Sequence, residues 1–174
     1  MEPKNLHPVM EYATRQSKAI ACLRQQGHKQ ATIVLLFAAI DQMAWLADEN
    51  ETVGNEGFTA WVQRYMLDQN PHLLSGASAS DLWGARCGVL HTGTPESNWY
   101  RTGKARRIFY SSNLGQVEAP APEVLVLSIE WIGMAFTAAL MYFIEDLQAD
   151  EAKDARARAK LDRMLVDQVP MAKG

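Results

Sequence analysis

Cysteine is scarce in this chain of 174 residues: Cys22 and Cys87 are the only two, and no CxxC spacing joins them. A disulfide framework and a structural zinc site are thereby disfavoured, and two free thiols buried among apolar helical neighbours are expected. No GxGxxG, P-loop, GxSxG or HExxH is present, so dinucleotide, triphosphate, serine-hydrolase and zincin chemistry have no carrier. Glu-x-x-His is missing as well, which removes the di-metal helical bundle, and the expectation is a protein with no metal site and no cofactor. Positive charge is not in excess either. With a formal net charge of −3, any polyanion has to meet a local patch and not a generally basic surface. The start of the chain, Met1-Glu-Pro-Lys-Asn-Leu-His-Pro8, has no apolar signal core, which points to the cytoplasm.

What is there suits one compact domain: 48% hydrophobic and 21% charged residues are enough for a real core with a solvated exterior. Pro8 to Gln26 reads as a helix with Pro8 in its first turn and Gly27 as its stop. His28 to Ala47 follows at once and is apolar all round between Ile33 and Ile40, the pattern of a helix surrounded by others. The tight connection makes these two antiparallel neighbours. Asp48 to Gly57 reads as a loop, Phe58 to Leu67 as a short helix, and Gln69 to Gly76 as a second loop. Ser78, three residues before Asp81, marks the start of a helix that runs to about His91–Gly93, where Thr94 and Pro95 prevent continuation. Between Pro95 and Pro122 no helical period holds, though Arg107-Ile-Phe-Tyr-Ser has the composition of a short strand.

A long apolar helix is expected from about Glu123 to Leu147. The 21 residues from Val124 to Ile144 hold Glu130 as their only charged side chain, enough by length to cross a bilayer. The mid-span carboxylate, the central Trp131 and the acidic flanks Glu123, Glu145 and Asp146 favour a buried core helix, and no membrane partner is expected. Asp150 to Gln168 is highly charged, with Asp154 and Arg158 at helical spacing and Leu161, Met164 and Leu165 gathered at its end. It reads as a solvated helix that docks by its tip. The chain therefore divides into a helical bundle domain over residues 1–148 and a charged C-terminal helix or tail over 149–174. The fold class is all-α, with about five main helices and an irregular loop or short hairpin before the last long one.

The chemistry-bearing stretch is Asp81-Leu-Trp-Gly-Ala-Arg86-Cys87-Gly-Val-Leu-His91-Thr-Gly-Thr-Pro95. Arginine's planar fork grips phosphate oxygens without losing its charge, and histidine gives or takes a proton near neutral pH. Residues five apart on a helix lie about 140° apart around the axis, so the length of Arg86 and the helix end near His91 have to close the gap. The plainer alternative is that His91 caps the helix while Arg86 pairs with a carboxylate such as Asp81 or Asp41. Asp41 and Glu130 are the two carboxylates expected to be buried, as partners of cations or as an acid–base pair.

An Arg-x4-6-His motif on a helix of a small all-helical bundle, followed at once by a break, resembles the HEPN superfamily. The resemblance spans roughly Pro8 to Leu147, and its motif consists of Arg86 and His91 alone. Catalytic HEPN members are metal-independent endoribonucleases of toxin or defence type, in which a 2′-hydroxyl attacks the neighbouring phosphate. The resemblance therefore implies proton transfer by His91, phosphate stabilisation by Arg86, a homodimer with two such pairs in one cleft, and an antitoxin-like protein partner. Other members bind nucleotides or serve as non-catalytic interaction modules. The residue after the family's arginine is commonly polar, often asparagine, whereas Cys87 stands here.

Directly downstream, Arg101, Lys104, Arg106 and Arg107 lie among Trp99, Tyr100, Phe109 and Tyr110. Cations fix phosphates and aromatic rings stack bases, so Arg101, Lys104, Arg106, Arg107 and Tyr110 are the candidate contacts for RNA or a nucleotide. The alternative is a solvated basic loop whose aromatics cover the bundle. Two functions stand at this point: an RNA- or nucleotide-directed HEPN-like protein, and a helical protein-interaction module in which the same residues are structural.

Overall fold

The structure, a computed structural model, describes residues 6–112 and 118–164. It is mostly helical, with seven α-helices and one two-stranded sheet among the described residues. Helix α1 (Pro8–Gln25) starts on Pro8, whose missing N–H costs nothing in the first turn, and His7 accepts the Val9 N–H there. It turns at Gly27, φ 78°, into α2 (Lys29–Ala47). Phe37, Ala39, Ile40 and Met43 of α2 are fully buried. The helix touches α1, then α3 (Asn55–Trp61), α4 (Ala79–Thr92), α6 (Ile129–Ala149) and α7 (Glu151–Leu161). It is the central helix that its uniform apolarity predicts. Among the described residues it is also the one helix long and apolar enough to cross a membrane, and much of its surface is taken by these neighbours.

The expected helix over Phe58–Leu67 divides in two. Its first turns complete α3, and Val62–Leu67 is π-helical, with the Asp68 N–H reaching back five residues to the Gln63 carbonyl at 2.9 Å. A short helix α5 (Asn98–Arg101) follows α4.

The all-α expectation needs one correction. Arg107–Ser111 forms strand β1, as its composition suggests, but its partner β2 is Val124–Ser128, which the sequence reading places inside the last long helix. The two are parallel, with Ile108 opposite Leu125 and Tyr110 opposite Leu127. The β-branched alternation Val-Leu-Val-Leu suits a pleated, half-buried surface, so these residues pair before α6 starts at Ile129. The apolar run from Val124 to Ile144 is thus a strand followed by a helix, not one continuous span.

Helix α7 is docked along its length and not only by its tip. Ala157 is fully buried, and Lys160, 5% exposed, donates to the carbonyls of Trp45, Asp48 and Asn50, each at 2.7 Å. These are carbonyls at the open C-terminal end of α2, which a cation both satisfies and stabilises. Leu161 and Met164 pack on the core as expected, the Asp154–Arg158 pair forms at 2.9 Å, and Leu165 lies outside the described residues.

Candidate functional site

Helix α4 begins as its sequence signals. The Ser78 hydroxyl accepts the Asp81 N–H at 3.2 Å, and the Asp81 carboxylate accepts the Ser78 N–H at 2.9 Å, a reciprocal capping box worth about 1 kcal/mol. Its end is set by Gly93, whose left-handed φ of 65° turns the chain away. Two internal glycines let the following segment come close. A Cβ on Gly84 would meet the Ala105 methyl at 2.8 Å, and one on Gly88 would meet the Thr94 carbonyl oxygen at 2.5 Å. The 94–105 segment consequently lies back along α4, with Trp99 edge-on to Trp83 at 6.4 Å.

Arg86 and His91 are brought together. Nη1 of Arg86 lies 3.1 Å from Nε2 of His91, so the reach of the arginine closes the angular gap at the last turn. A guanidinium has no acceptor, so Arg86 is the donor in this contact and Nε2 of His91 is placed to accept. The other edge of the fork is committed: Nε and Nη2 donate to the two oxygens of Asp41 on α2 at 2.9 and 2.7 Å. Of the two carboxylates that the sequence offers Arg86, the partner is Asp41. The side chains of Arg86 and Asp41 are 15% and 20% exposed, whereas His91 is on the surface. The Arg86 guanidinium also stands over the Trp83 ring at 5.1 Å. Trp83 is three residues before Arg86 on the same helix, the spacing at which side chains meet, and this is the signal by which it could have been found.

The environment leaves Arg86 charged and fixed. Burial would lower its pKa, but the Asp41 hydrogen bonds and charge outweigh that and raise it. Burial pushes the neighbouring Cys87 thiol up despite the pull of Arg86, so it stands beside the pair as a neutral thiol. Neither thiol is buried as expected: Cys87 is half-buried and Cys22 is exposed.

Of the downstream cations, Arg101 is exposed at the end of α5, and Lys104 is exposed with its ammonium over the Trp99 ring at 5.4 Å. Arg107 donates to Glu96 at 2.6 Å and stacks on Tyr100 at 4.5 Å. Arg106 is tied to Asp81, at 2.6 Å through Nη2 and 2.7 Å through its backbone N–H, and also bonds the Gly76 carbonyl. These bonds outweigh the effect of burial on Asp81 and hold its carboxyl below the usual range. Tyr110 lies edge-on to Phe37 at 6.3 Å, with its hydroxyl buried and its pKa pushed up by burial. Arg101 and Lys104 are thus the cations of this stretch most open to an incoming phosphate. A continuous line runs from the exposed imidazole of His91 through Arg86, Trp83 and Trp99 to Lys104, in contacts of 3.1, 5.1, 6.4 and 5.4 Å.

Asp41 and Glu130 do not form an acid–base pair: Asp41 serves Arg86, and Glu130 pairs with Arg24 on α1. No group of three or more metal-ligating side chains occurs among the described residues. Neither a family model, nor a curated protein, nor a solved structure matches this chain.

Proposed function

We propose that this chain is a HEPN-like protein that acts on RNA, cleaving its phosphodiester backbone without a metal ion, as a cytoplasmic homodimer with Arg86 and His91 at its cleft. The observation that carries the reading is the 3.1 Å contact between a charged arginine held in place and an imidazole at the surface. Asp41 and Trp83 hold the guanidinium, so little reorganisation is needed when charge develops on a phosphate, and fixed cations in such positions are effective catalysts.

In this reading the phosphate takes the place of His91 at Nη1 of Arg86. The unprotonated Nε2 of His91 accepts the 2′-hydroxyl proton as the O2′–P bond forms. The P–O5′ bond breaks, and the 5′-oxygen takes the proton that the His91 imidazolium has just gained, which returns His91 to its starting state. The products are a 2′,3′-cyclic phosphate and a 5′-hydroxyl, and no metal enters the balance. Arg101 and Lys104 bind flanking phosphates, with Trp99 available for stacking. Regulation by an antitoxin-like protein belongs to the same proposal.

One observation favours the second reading, a non-catalytic interaction module: the bidentate bond to Asp41 uses two of the three nitrogens of Arg86 in holding helices together. Cys87, in place of the polar residue common in the family, favours it too. Incubation of purified protein with RNA in EDTA separates the two. The proposal expects cleavage that Arg86→Ala and His91→Ala both abolish, with the His91 variant melting at the parent temperature. No cleavage and no RNA binding at low salt would overturn the ribonuclease reading.

A further inference from the structure

A cleft of about 380 Å3 opens between the C-terminal end of α2, the α3–π segment, α6 and α7. Its floor is apolar: Phe143 and Leu147 of α6 are buried there, and Ala44 and Ala47 leave hollow what larger side chains would fill, with Ala60 exposed at the mouth. Its volume falls in the range of small-molecule sites.

The walls carry charged groups of both signs. On one side, three donors converge on the Asp146 carboxylate: Arg64 at 2.7 Å, the Tyr65 hydroxyl at 2.6 Å and Lys153 of α7 at 3.2 Å. Arg64 and Tyr65 are consecutive, and on a regular α-helix consecutive side chains diverge by about 100°. Both reach one carboxylate here from the π-helical turn, a geometry that is rare and frequent at functional sites. Asp150 also lies 3.7 Å from the Lys153 ammonium, so the two cations of this wall, Arg64 and Lys153, stand beside two carboxylates. On the other side stand Asp48, Glu49 and Glu56. Glu49 has Arg156 as a partner at 3.4 Å, while Glu56 is exposed and has no ion pair among the described residues.

We propose that this cleft is a binding site for a small zwitterion with an apolar body, of the class of a free apolar or aromatic α-amino acid. Its carboxylate lies on Arg64 and Lys153, its ammonium on Glu56, and its side chain on the alanine-lined floor. A simple anion would face Glu56 and a simple cation would face Arg64 and Lys153, so charge separation within one small molecule is what these groups select. The site stands apart from Arg86 and His91 and does not depend on the ribonuclease proposal.

The test is calorimetric titration of the full chain with L-phenylalanine, L-tryptophan and L-leucine, alongside N-acetyl-L-phenylalanine, which lacks the cation, and phenethylamine, which lacks the anion. At least one of the three amino acids is expected to bind at millimolar Kd or tighter, with about tenfold weaker binding of each truncated probe where L-phenylalanine is the ligand. Arg64→Met and Glu56→Gln, both at the surface, are each expected to weaken binding about tenfold as well. Ala60→Trp, at the exposed mouth, should abolish it with the unliganded melting temperature unchanged. Absence of binding by all three amino acids, equal binding of the truncated probes, or full binding by both Arg64→Met and Glu56→Gln would overturn the proposal.

Discussion

Asp41 and Arg86, 45 residues apart, join the central helix to the motif helix by two parallel hydrogen bonds of 2.9 and 2.7 Å. With both side chains largely out of water, removing either one leaves the other as an uncompensated charge. Asp41→Ala is expected to destabilise the fold by about 2–3 kcal/mol in urea denaturation, and the double-mutant cycle with Arg86→Ala to give a coupling of about 2 kcal/mol. A coupling near zero would mean that the pair does not fix the guanidinium.

Asp81 gives a dependence on acid. Its carboxyl is held below the ordinary range by Arg106 and Ser78, so its contribution is fully present above the unfolded value of about 3.9 and is lost as pH falls through the lower folded value. Parent protein and Asp81→Asn should differ most near neutrality, and the difference should shrink below about pH 4 in urea melts across the acid range.

Two helical glycines should respond in opposite directions. Gly88→Ala places a methyl 2.5 Å from the Thr94 carbonyl oxygen and should lower stability by about 1–3 kcal/mol. Gly133→Ala on α6 meets nothing within 4 Å and should raise it, by up to about 1 kcal/mol, through helix propensity alone. Thermal melts of the two variants measure both effects.

Arg101 and Lys104, the exposed cations after the motif, should act as phosphate contacts. Arg101→Ala and Lys104→Ala should each weaken RNA binding across sequences and reduce the slope of log K against log salt by about 1. An unchanged slope in both would remove this stretch from the proposed interface.

Much of the helical framework is legible in the sequence because its signals are local. Pro8, Gly27, the Ser78–Asp81 box and Gly93 lie where the helices start and stop, and the uniform apolarity of Ile33–Ile40 marks the central helix. Val124–Ser128 escapes that reading because a short apolar run fits a strand or a buried helix equally, and its pairing with Arg107–Ser111 is a contact between distant segments. Lys160 is similar: a charge run reads as a solvated face, and only the fold reveals the open end of α2 that receives the ammonium. The choice between Asp41 and Asp81 as the partner of Arg86 is also tertiary. Spacing could name both, but Asp81 is taken by Arg106. Nothing in the sequence shows that Tyr110 would turn inward onto Phe37.

Attack by a 2′-hydroxyl, assisted by His91 beside Arg86, is tested most directly by the ends of the products. A single-stranded RNA oligonucleotide is incubated in EDTA with the parent chain and with His91→Ala, alongside the same oligonucleotide carrying 2′-deoxyribose at its cleavage site. The account predicts 2′,3′-cyclic phosphate and 5′-hydroxyl ends from the parent, with cleavage lost both for the 2′-deoxy substrate and for His91→Ala. Cleavage that survives either change, or an intact oligonucleotide with the parent protein, would contradict it.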